Sequence, residues 1–510
     1  MNRSELIKII WVVTLGSALS FTLLISAFGA DNSSALKGRP NIIFLMDDQH
    51  RWDALGFVNA AVKTPNLDAI AKVGVFFDQA VCQVPMCVPS RNSMMFSMYP
   101  NQLGVLRNSG GLPDEKLPAK PLAAMLKDAG YQTAGFGKTH WGVVTSTRGF
   151  ETRYAAQCPE NGAVMMKDDA PESKSRYDAE GKTMGGGEEN NLGYLGFTSR
   201  LPEEQHRDGW VTKKCLKFIE SGIDPERPLF LYLSFLKPHA GHNVPVGYEK
   251  QYDASKIKYA RQPPWNHDIS AHALGINRRD MYIDYWSKAS DEQWRLMTLR
   301  YWANITWIDD MYGRALKALR SKGILDNALI VYCSDHGEML GERYYRFNKY
   351  CLYESSVRVP IILSGSAIDA NLRGTKDHRS AELVDLYPTL LKAAGIKVPP
   401  RAVGLNLLSD TERQASFSAL HERKKEASFM WRTANHKLIL MMRRSRDKGA
   451  DQYTAADIVG GEFYDLKKDP QEWNDLYSSE AAGYRQLREK MTKQLLEFLK
   501  TQKRCSPLSV

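Results

Sequence analysis

The chain has 510 residues, of which 43% are hydrophobic and 25% are charged, and its formal net charge is +10. This composition is typical of a globular protein and excludes a disordered chain, and the length suffices for one large domain and a smaller one. The positive charge favours a polyanionic partner, but no motif of a nucleic-acid-binding fold accompanies it, so nucleic acid is not expected.

The first 30 residues are predicted to be a signal peptide. Arg3 and Lys8 precede the uncharged run 9–30, and small residues near Ala27 and Gly29 suit cleavage. An uncleaved membrane anchor is the alternative, and both interpretations predict an exported protein. The predicted organisation is a signal peptide (1–30), a linker (31–38), a catalytic domain (39–400) and a C-terminal subdomain (401–510).

The first predicted strand ends in two adjacent carboxylates. The apolar run 41–46 is typical of a buried strand, and Asp47 and Asp48 follow it. Because side chains alternate along a strand, two adjacent acids cannot face the same side, so we expect both where the strand gives way to a loop. That edge of the sheet is where α/β enzymes bind ligands.

A second apolar run, 328–333, also predicts a strand, and Asp335 and His336 follow it. Carboxylates and an imidazole at two strand ends can together hold a hard divalent cation. The sequence contains seven cysteines but no C-x-x-C pair, so a zinc knuckle is not expected.

Two short segments between these strands carry candidate catalytic groups. Cys87-Val88-Pro89-Ser90-Arg91 read alone favours a buried cysteine that enters a turn. In the segment 135–142, glycines allow close approach to a ligand, and Lys138 and His140 stand two apart, so they can point to one side of an extended chain. Read alone, Lys138 is equally consistent with a solvated turn.

Further candidates follow a third apolar run, 229–235, which leads into Lys237-Pro238-His239. His242 competes with His239, which is favoured because it stands at the predicted strand end. Lys349 lies in a later segment, Asn348 to Glu354, that is followed by Arg358-Val359-Pro360.

Taken in order, these motifs resemble those of the type I, formylglycine-dependent sulfatases of the alkaline phosphatase-like superfamily. Within that family, the motifs are similar to those of iduronate-sulfatase-like glycan sulfatases. The resemblance continues through 380–390 and 462–470. It implies that a formylglycine-generating maturation enzyme oxidises Cys87 to Cα-formylglycine. The implied catalytic residues are Cys87, Arg91, Lys138, His140, His239 and Lys349. The implied Ca²⁺ ligands are Asp47, Asp48, Asp335 and His336.

The chain departs from the family pattern at two places. Thr139 stands where the family usually has Trp, and Phe96-Ser97 stand where it usually has a Thr-Gly pair that the maturation machinery reads.

The resemblance implies an α/β fold, with a large mixed and mostly parallel sheet sandwiched by helices and a smaller C-terminal subdomain of antiparallel sheet plus helix. It implies hydrolysis of sulfate esters, most simply on a sulfated glycan. The hydrated aldehyde at residue 87 would supply the nucleophile, with Asp335 as its base and His239 as the proton donor to the leaving group. A phosphonate or phosphate monoester hydrolase and a non-catalytic glycan-binding relative are the alternatives.

Two insertions are predicted in the catalytic domain, at 155–208 and 245–290. The second carries four aromatic residues, namely Trp265, Tyr282, Tyr285 and Trp286. Such side chains either contact a sugar substrate or pack against the body of the protein.

Overall fold

The computed structural model describes residues 38–109, 111–142, 146–156, 162–184, 194–265, 282–421, 426–443 and 449–508. The predicted signal peptide and almost all of the predicted linker lie outside the described residues, as do parts of both insertions. In the described residues no helix has the length and apolar character needed to cross a membrane.

Seventeen strands occur in the described residues. They are β1 (Asn41–Asp48), β2 (Val75–Phe77), β3 (Ala80–Val81), β4 (Gln132–Gly137), β5 (Thr152–Ala155), β6 (Val164–Met165), β7 (Phe197–Ser199), β8 (Leu229–Pro238), β9 (Asn243–Pro245), β10 (Ala328–Ser334), β11 (Ile361–Ser364), β12 (Thr375–Asp377), β13 (Ala381–Glu382), β14 (Ser416–Leu420), β15 (Glu426–Arg432), β16 (His436–Arg443) and β17 (Ile458–Asp465).

The helices of seven residues or more in the described residues are α1 (Pro65–Lys72), α2 (Cys87–Phe96), α3 (Leu122–Asp128), α4 (Pro171–Thr183), α5 (Arg207–Ser221), α6 (Asp291–Ser321), α7 (Leu386–Ala393) and α8 (Ala482–Lys500). Shorter helical segments are Pro100–Leu103, Met166–Asp169, Glu342–Tyr345 and Glu354–Val357.

Nine strands form the large sheet, in the order β12-β2-β11-β10-β1-β8-β4-β5-β6. β1 pairs in parallel with both β10 and β8, and only β11 runs antiparallel to its neighbours. A separate four-stranded antiparallel sheet, β14 to β17, packs against α8. The predicted fold class, a mostly parallel sheet with a C-terminal antiparallel sheet and helix, is confirmed; the boundary at residue 400 stays a prediction.

The two faces of the large sheet bury different layers of the protein. In β1 the even-numbered Ile42, Phe44 and Met46 pack into one hydrophobic cluster, which includes residues of α2. The odd-numbered Ile43 and Leu45 pack into another, which includes residues of α6. Because the period of a strand is two, this alternation decides which layer each residue at the end of β1 faces.

Asp47 and Asp48 were expected where the strand gives way to a loop, and they are the last two residues of β1 itself. They therefore lie on opposite faces of the sheet. Asp47 faces the layer of α6, and Asp48 faces the layer of α2.

A buried ion-pair group joins the C-terminal sheet to the segment after Lys349. Glu354 binds Arg432 and Lys437, at 2.7 Å from each, and Lys437 also donates to the backbone oxygen of Leu352 at 3.0 Å. Since buried charges are stable only when paired, this segment depends on the C-terminal sheet for its conformation.

Two of the insertion aromatics pack into the protein body. Tyr282 and Trp286 are 5% and 1% exposed and join a buried cluster with Trp294 and Phe347. Packing against the body is therefore observed for these two. Trp265 is half-buried, with the guanidinium of Arg343 over its ring at 5.3 Å.

Candidate active site

Cys87 is the first residue of α2 and is almost completely buried. Pro89 is compatible with this position because the backbone N–H groups of the first helical turn have no partner within the helix. The thiol therefore lies at the positive end of the helix dipole, next to the ends of β1 and β10.

The Cys87 sulfur is surrounded by nitrogen atoms of predicted catalytic and metal-binding residues. The Nζ atom of Lys349 lies 3.3 Å from it, Nε2 of His336 lies 3.2 Å away, and Nζ of Lys138 lies 3.8 Å away. Burial alone would raise the pKa of the thiol, but Lys138, Lys349 and His336 outweigh burial and hold this pKa well below its ordinary value, assisted by a hydrogen bond with His140. The surroundings of Cys87 therefore stabilise negative charge.

Arg91 lies one helical turn after Cys87 and is fully buried. Its Nε donates to Asp335 at 2.7 Å, and its Nη2 donates to Asp48 at 3.1 Å. Its Nη1 donates to the hydroxyl of Ser234 at 3.0 Å and to the backbone oxygen of Lys138 at 2.7 Å. Through one guanidinium, Arg91 therefore links β1 and β8 to the residues that directly follow β4 and β10.

Lys138 follows β4 directly and forms an ion pair with Asp48 at 2.5 Å. Gly137 allows this approach: its φ is +91°, and a Cβ atom there would lie 1.8 Å from the backbone oxygen of Ser234. Only glycine tolerates both conditions. His140, also expected at this site, has a φ of +52°.

His239 comes directly after β8, and its Nε2 lies 3.0 Å from Nζ of Lys349 and 3.9 Å from Oδ1 of Asp48. Its side chain is 11% exposed, more than those of Lys138, Asp48 and Asp335. The structure thus places His239 at the edge of the site that is nearest to solvent.

His242 lies apart from this group. It is fully buried, and its Nδ1 lies 2.8 Å from the backbone oxygen of Tyr194. Burial and the nearby Lys237 lower its pKa to about 3. A histidine in these surroundings is a poor proton donor, because it is neutral at ordinary pH.

Three of the four predicted metal ligands lie together. One ligand atom from each of Asp48, Asp335 and His336, and the Cys87 sulfur, lie within 4.8 Å of one another. Two carboxylates suit a hard divalent cation such as Ca²⁺, although an imidazole nitrogen is a less usual ligand for that ion. The donor atoms of these residues therefore fit such an ion.

Asp47, the fourth predicted ligand, faces the other side of the sheet. Its carboxylate accepts hydrogen bonds from the hydroxyls of Tyr312 and Tyr332, the latter at 2.7 Å, and lies 2.7 Å from Nδ1 of His50. It is thus held within the α6 layer and does not join Asp48.

Two residues that the sequence analysis did not single out support Lys349. Gln49 Oε1 accepts a hydrogen bond from Lys349 Nζ at 2.7 Å, and the Gln49 amide nitrogen donates to Glu338. Glu338 in turn accepts from the backbone nitrogens of Leu340, at 2.8 Å, and Asn348, at 2.6 Å. Gln49 and Glu338 therefore connect the end of β1 to the segment that carries Lys349. Their one sequence signal is their position just after the strand-end acids.

We expect Gln49→Ala to lower kcat/KM between tenfold and about a hundredfold, because Lys349 loses the acceptor that fixes its ammonium group and small displacements of such groups are costly. Steady-state kinetics on a sulfate ester, the substrate that the motif resemblance implies, measure this. Gln132→Ala is the matched control: Gln132 also makes two hydrogen bonds, to Gly222 O and from Asp224 N, but it begins β4 at the opposite end of the sheet. An equal loss in both variants would contradict the positioning role.

Comparisons with known proteins agree with this arrangement. The sequence model of the family described as Sulfatase matches residues 40–396, and that of the C-terminal region of N-sulphoglucosamine sulphohydrolase matches residues 341–501. An ulvan-active sulfatase of Formosa agariphila is 28% identical over 456 residues, covering 86% of this chain and 77% of the relative. Iduronate 2-sulfatase of Mus musculus is 25% identical, covering 75% of this chain and 74% of the relative.

Among solved structures, the phosphonate monoester hydrolase of Agrobacterium radiobacter superposes with a TM-score of 0.70 at 21% identity, covering 91% of this chain and 96% of that one. This similarity shows a shared fold. Because the Sulfatase model spans well over half of the sequence, the chain belongs to the sulfatase family of sulfuric ester hydrolases.

Proposed function

We propose that the protein hydrolyses sulfate esters of a sulfated carbohydrate at the site formed around Cys87. The observation that carries this proposal is the group of cations there. Arg91, Lys138 and Lys349 lie in a buried site with two carboxylates, Asp48 and Asp335. Three positive charges against two negative ones favour an anionic substrate, and burial strengthens the attraction.

Each residue has a distinct part in this proposal. Lys138 and Lys349 bind the sulfate oxygens and offset their charge as the ester bond breaks. His239, at the more exposed edge of the site, donates a proton to the departing alcohol oxygen. Arg91 holds the carboxylates of Asp48 and Asp335 in place through its guanidinium group.

Two groups complete the proposed site. Asp48, Asp335, His336 and residue 87 would hold Ca²⁺, which supplies further positive charge to the sulfate. A formylglycine at residue 87 would supply the attacking oxygen. The cations that hold the pKa of the Cys87 thiol below its ordinary value would also stabilise a negatively charged oxygen at this position, which supports the proposal.

The carbohydrate class is supported by the relatives. The similar proteins from Formosa agariphila and Mus musculus are named for ulvan and iduronate. We also infer that the chain is exported and that a formylglycine-generating enzyme is its maturation partner; the apolar run 9–30 and the motif that begins at Cys87 support these two inferences.

The proposal is tested by sulfate release from sulfated mono- and disaccharides, with mass spectrometry of the Cys87 peptide in the same preparation. We expect sulfate release, and we expect the Cys87 peptide to have the mass that corresponds to formylglycine at residue 87. Hydrolysis rates on an aryl sulfate and an aryl phosphonate, compared side by side, distinguish a sulfatase from a phosphonate hydrolase. Preferred cleavage of the phosphonate would overturn the proposed function.

His239→Ala is expected to lower kcat about a hundredfold on a sugar sulfate but much less on 4-nitrophenyl sulfate, because nitrophenolate leaves without a proton. kcat on both substrates gives the comparison. His242→Ala serves as the control, since His242 faces Tyr194 and not the site. Equal losses on both substrates would argue against proton donation by His239.

A further inference from the structure

A cleft near the Cys87 site, but not part of it, lies next to the segment that follows β1. Its volume is about 640 Å³, and none of the predicted catalytic or metal-binding residues lines it. It lies between the segment after β1, the insertion before α6, and the C-terminal region. The lining residues used below are Arg51, Trp52, Lys258, Arg261, Arg358 and Trp473.

The side chains of this cleft carry an excess of positive charge. Five cations line it (Arg51, Lys258, Arg261, Arg358 and Arg432) against three carboxylates (Asp53, Glu342 and Glu354). Each carboxylate already binds an arginine: Asp53 and Glu342 bind Arg51 at 2.8 and 2.7 Å, and Glu354 binds Arg432 at 2.7 Å.

Two of the five cations are available at the surface. Lys258 and Arg261 are exposed, and neither forms an ion pair within the part of the chain that the structure describes. Their charges are therefore directed to the cleft and its solvent.

The cleft also has aromatic surface. Trp473 and Trp52 are half-buried, and Arg358 covers one ring face of Trp52 at 3.5 Å. Aromatic rings beside cations provide flat apolar contact together with anion binding. This combination suits a sugar that carries sulfate or carboxylate groups.

A continuous series of hydrogen bonds leads from the cleft to Lys349, which lies against Cys87. Arg51 donates to the backbone oxygen of Glu338 at 2.9 Å, Glu338 binds Gln49, and Gln49 binds Lys349. Leu340 and Glu342 of the cleft wall belong to the same segment as Lys349. Two segments therefore lie between the cleft and the site and contribute residues to both: the one just after β1 and the one that carries Lys349.

We propose that this cleft binds further anionic sugar units of a glycan whose reacting sulfate lies at Cys87. This inference rests on the proposed function and extends it from a single sugar to an oligosaccharide. The charge excess attracts the polyanion, and the rim residues Lys258 and Arg261 bind its sulfate or carboxylate groups.

The test measures binding by isothermal titration calorimetry to the Cys87→Ala protein, which does not turn over. The ligands are a sulfated heparin tetrasaccharide, glucosamine 6-sulfate and uncharged maltotetraose. The variant adds Lys258→Ala and Arg261→Ala, and the matched control adds Lys72→Ala and Lys376→Ala, which remove the same charge from exposed residues outside the cleft lining.

We expect the tetrasaccharide to bind at least tenfold more tightly than the monosaccharide. The cleft variant should lose roughly fivefold or more of that affinity, since each exposed ion pair contributes up to about fivefold, while the control pair changes it little. Equal affinities for the two sulfated ligands, or equal losses in the cleft and control variants, would overturn the inference. Sulfate release by the mature wild-type protein tests the proposed function separately, so the two failures remain distinguishable.

Discussion

Replacing Cys87 by alanine is expected to lower sulfate release by about a thousandfold or more, because the side chain that we propose becomes the reacting group is gone while the cations around it remain. Initial rates on a sulfate ester, from protein made in a host that oxidises the motif cysteine, measure the loss. The free energy of unfolding should fall by only about 1 kcal/mol, because the removed group is small.

Cys215→Ala is the matched control for this prediction. Cys215 is also fully buried, but it lies in α5 on the other face of the sheet, within the layer of α6. Its replacement should leave kcat unchanged at a similar cost in stability. Undiminished turnover by the Cys87→Ala protein would show that another residue attacks the ester.

Arg91→Met is expected to reduce the free energy of unfolding by about 3–5 kcal/mol, because Asp48 and Asp335 remain buried without their shared partner. Urea unfolding followed by fluorescence measures this quantity. Arg91→Lys should have an intermediate effect: it keeps the charge but cannot reproduce the guanidinium fork that joins both acids.

Arg107→Met provides the comparison for an arginine with weaker attachments. Arg107 is half-buried and donates twice to the backbone oxygen of His421, and it binds no carboxylate of the residues that the structure describes. We expect a loss of about 1 kcal/mol from this variant. A loss at Arg91 no larger than that at Arg107 would mean that the buried acids tolerate each other without the guanidinium.

The fold was largely predictable because its central strands are continuous apolar runs. β1, β8 and β10 lie where those runs indicated. Such runs report burial on both faces of a sheet. They do not indicate the residue at which strand pairing stops, so it could not be predicted that both acids at this strand end still belong to β1.

The site was predictable only in part, for a related reason. Motifs identify residues by type and spacing, so the group around Cys87 could be assembled from them. Gln49 and Glu338 belong to no comparable pattern, and their importance lies in contacts between segments nearly 300 positions apart. The opposite directions of Asp47 and Asp48 likewise follow from strand geometry and not from the identity of the residues.

The burial of Cys87 has a consequence for when the proposed oxidation could take place. Its side chain is 1% exposed, and Lys349, which lies against it, belongs to a segment held by Arg432 and Lys437 through Glu354. Those partners leave the ribosome long after Cys87 does. The maturation enzyme that we propose would therefore have to act on Cys87 before the chain folds around it, and protein that has already folded with its thiol intact would stay beyond that enzyme's reach.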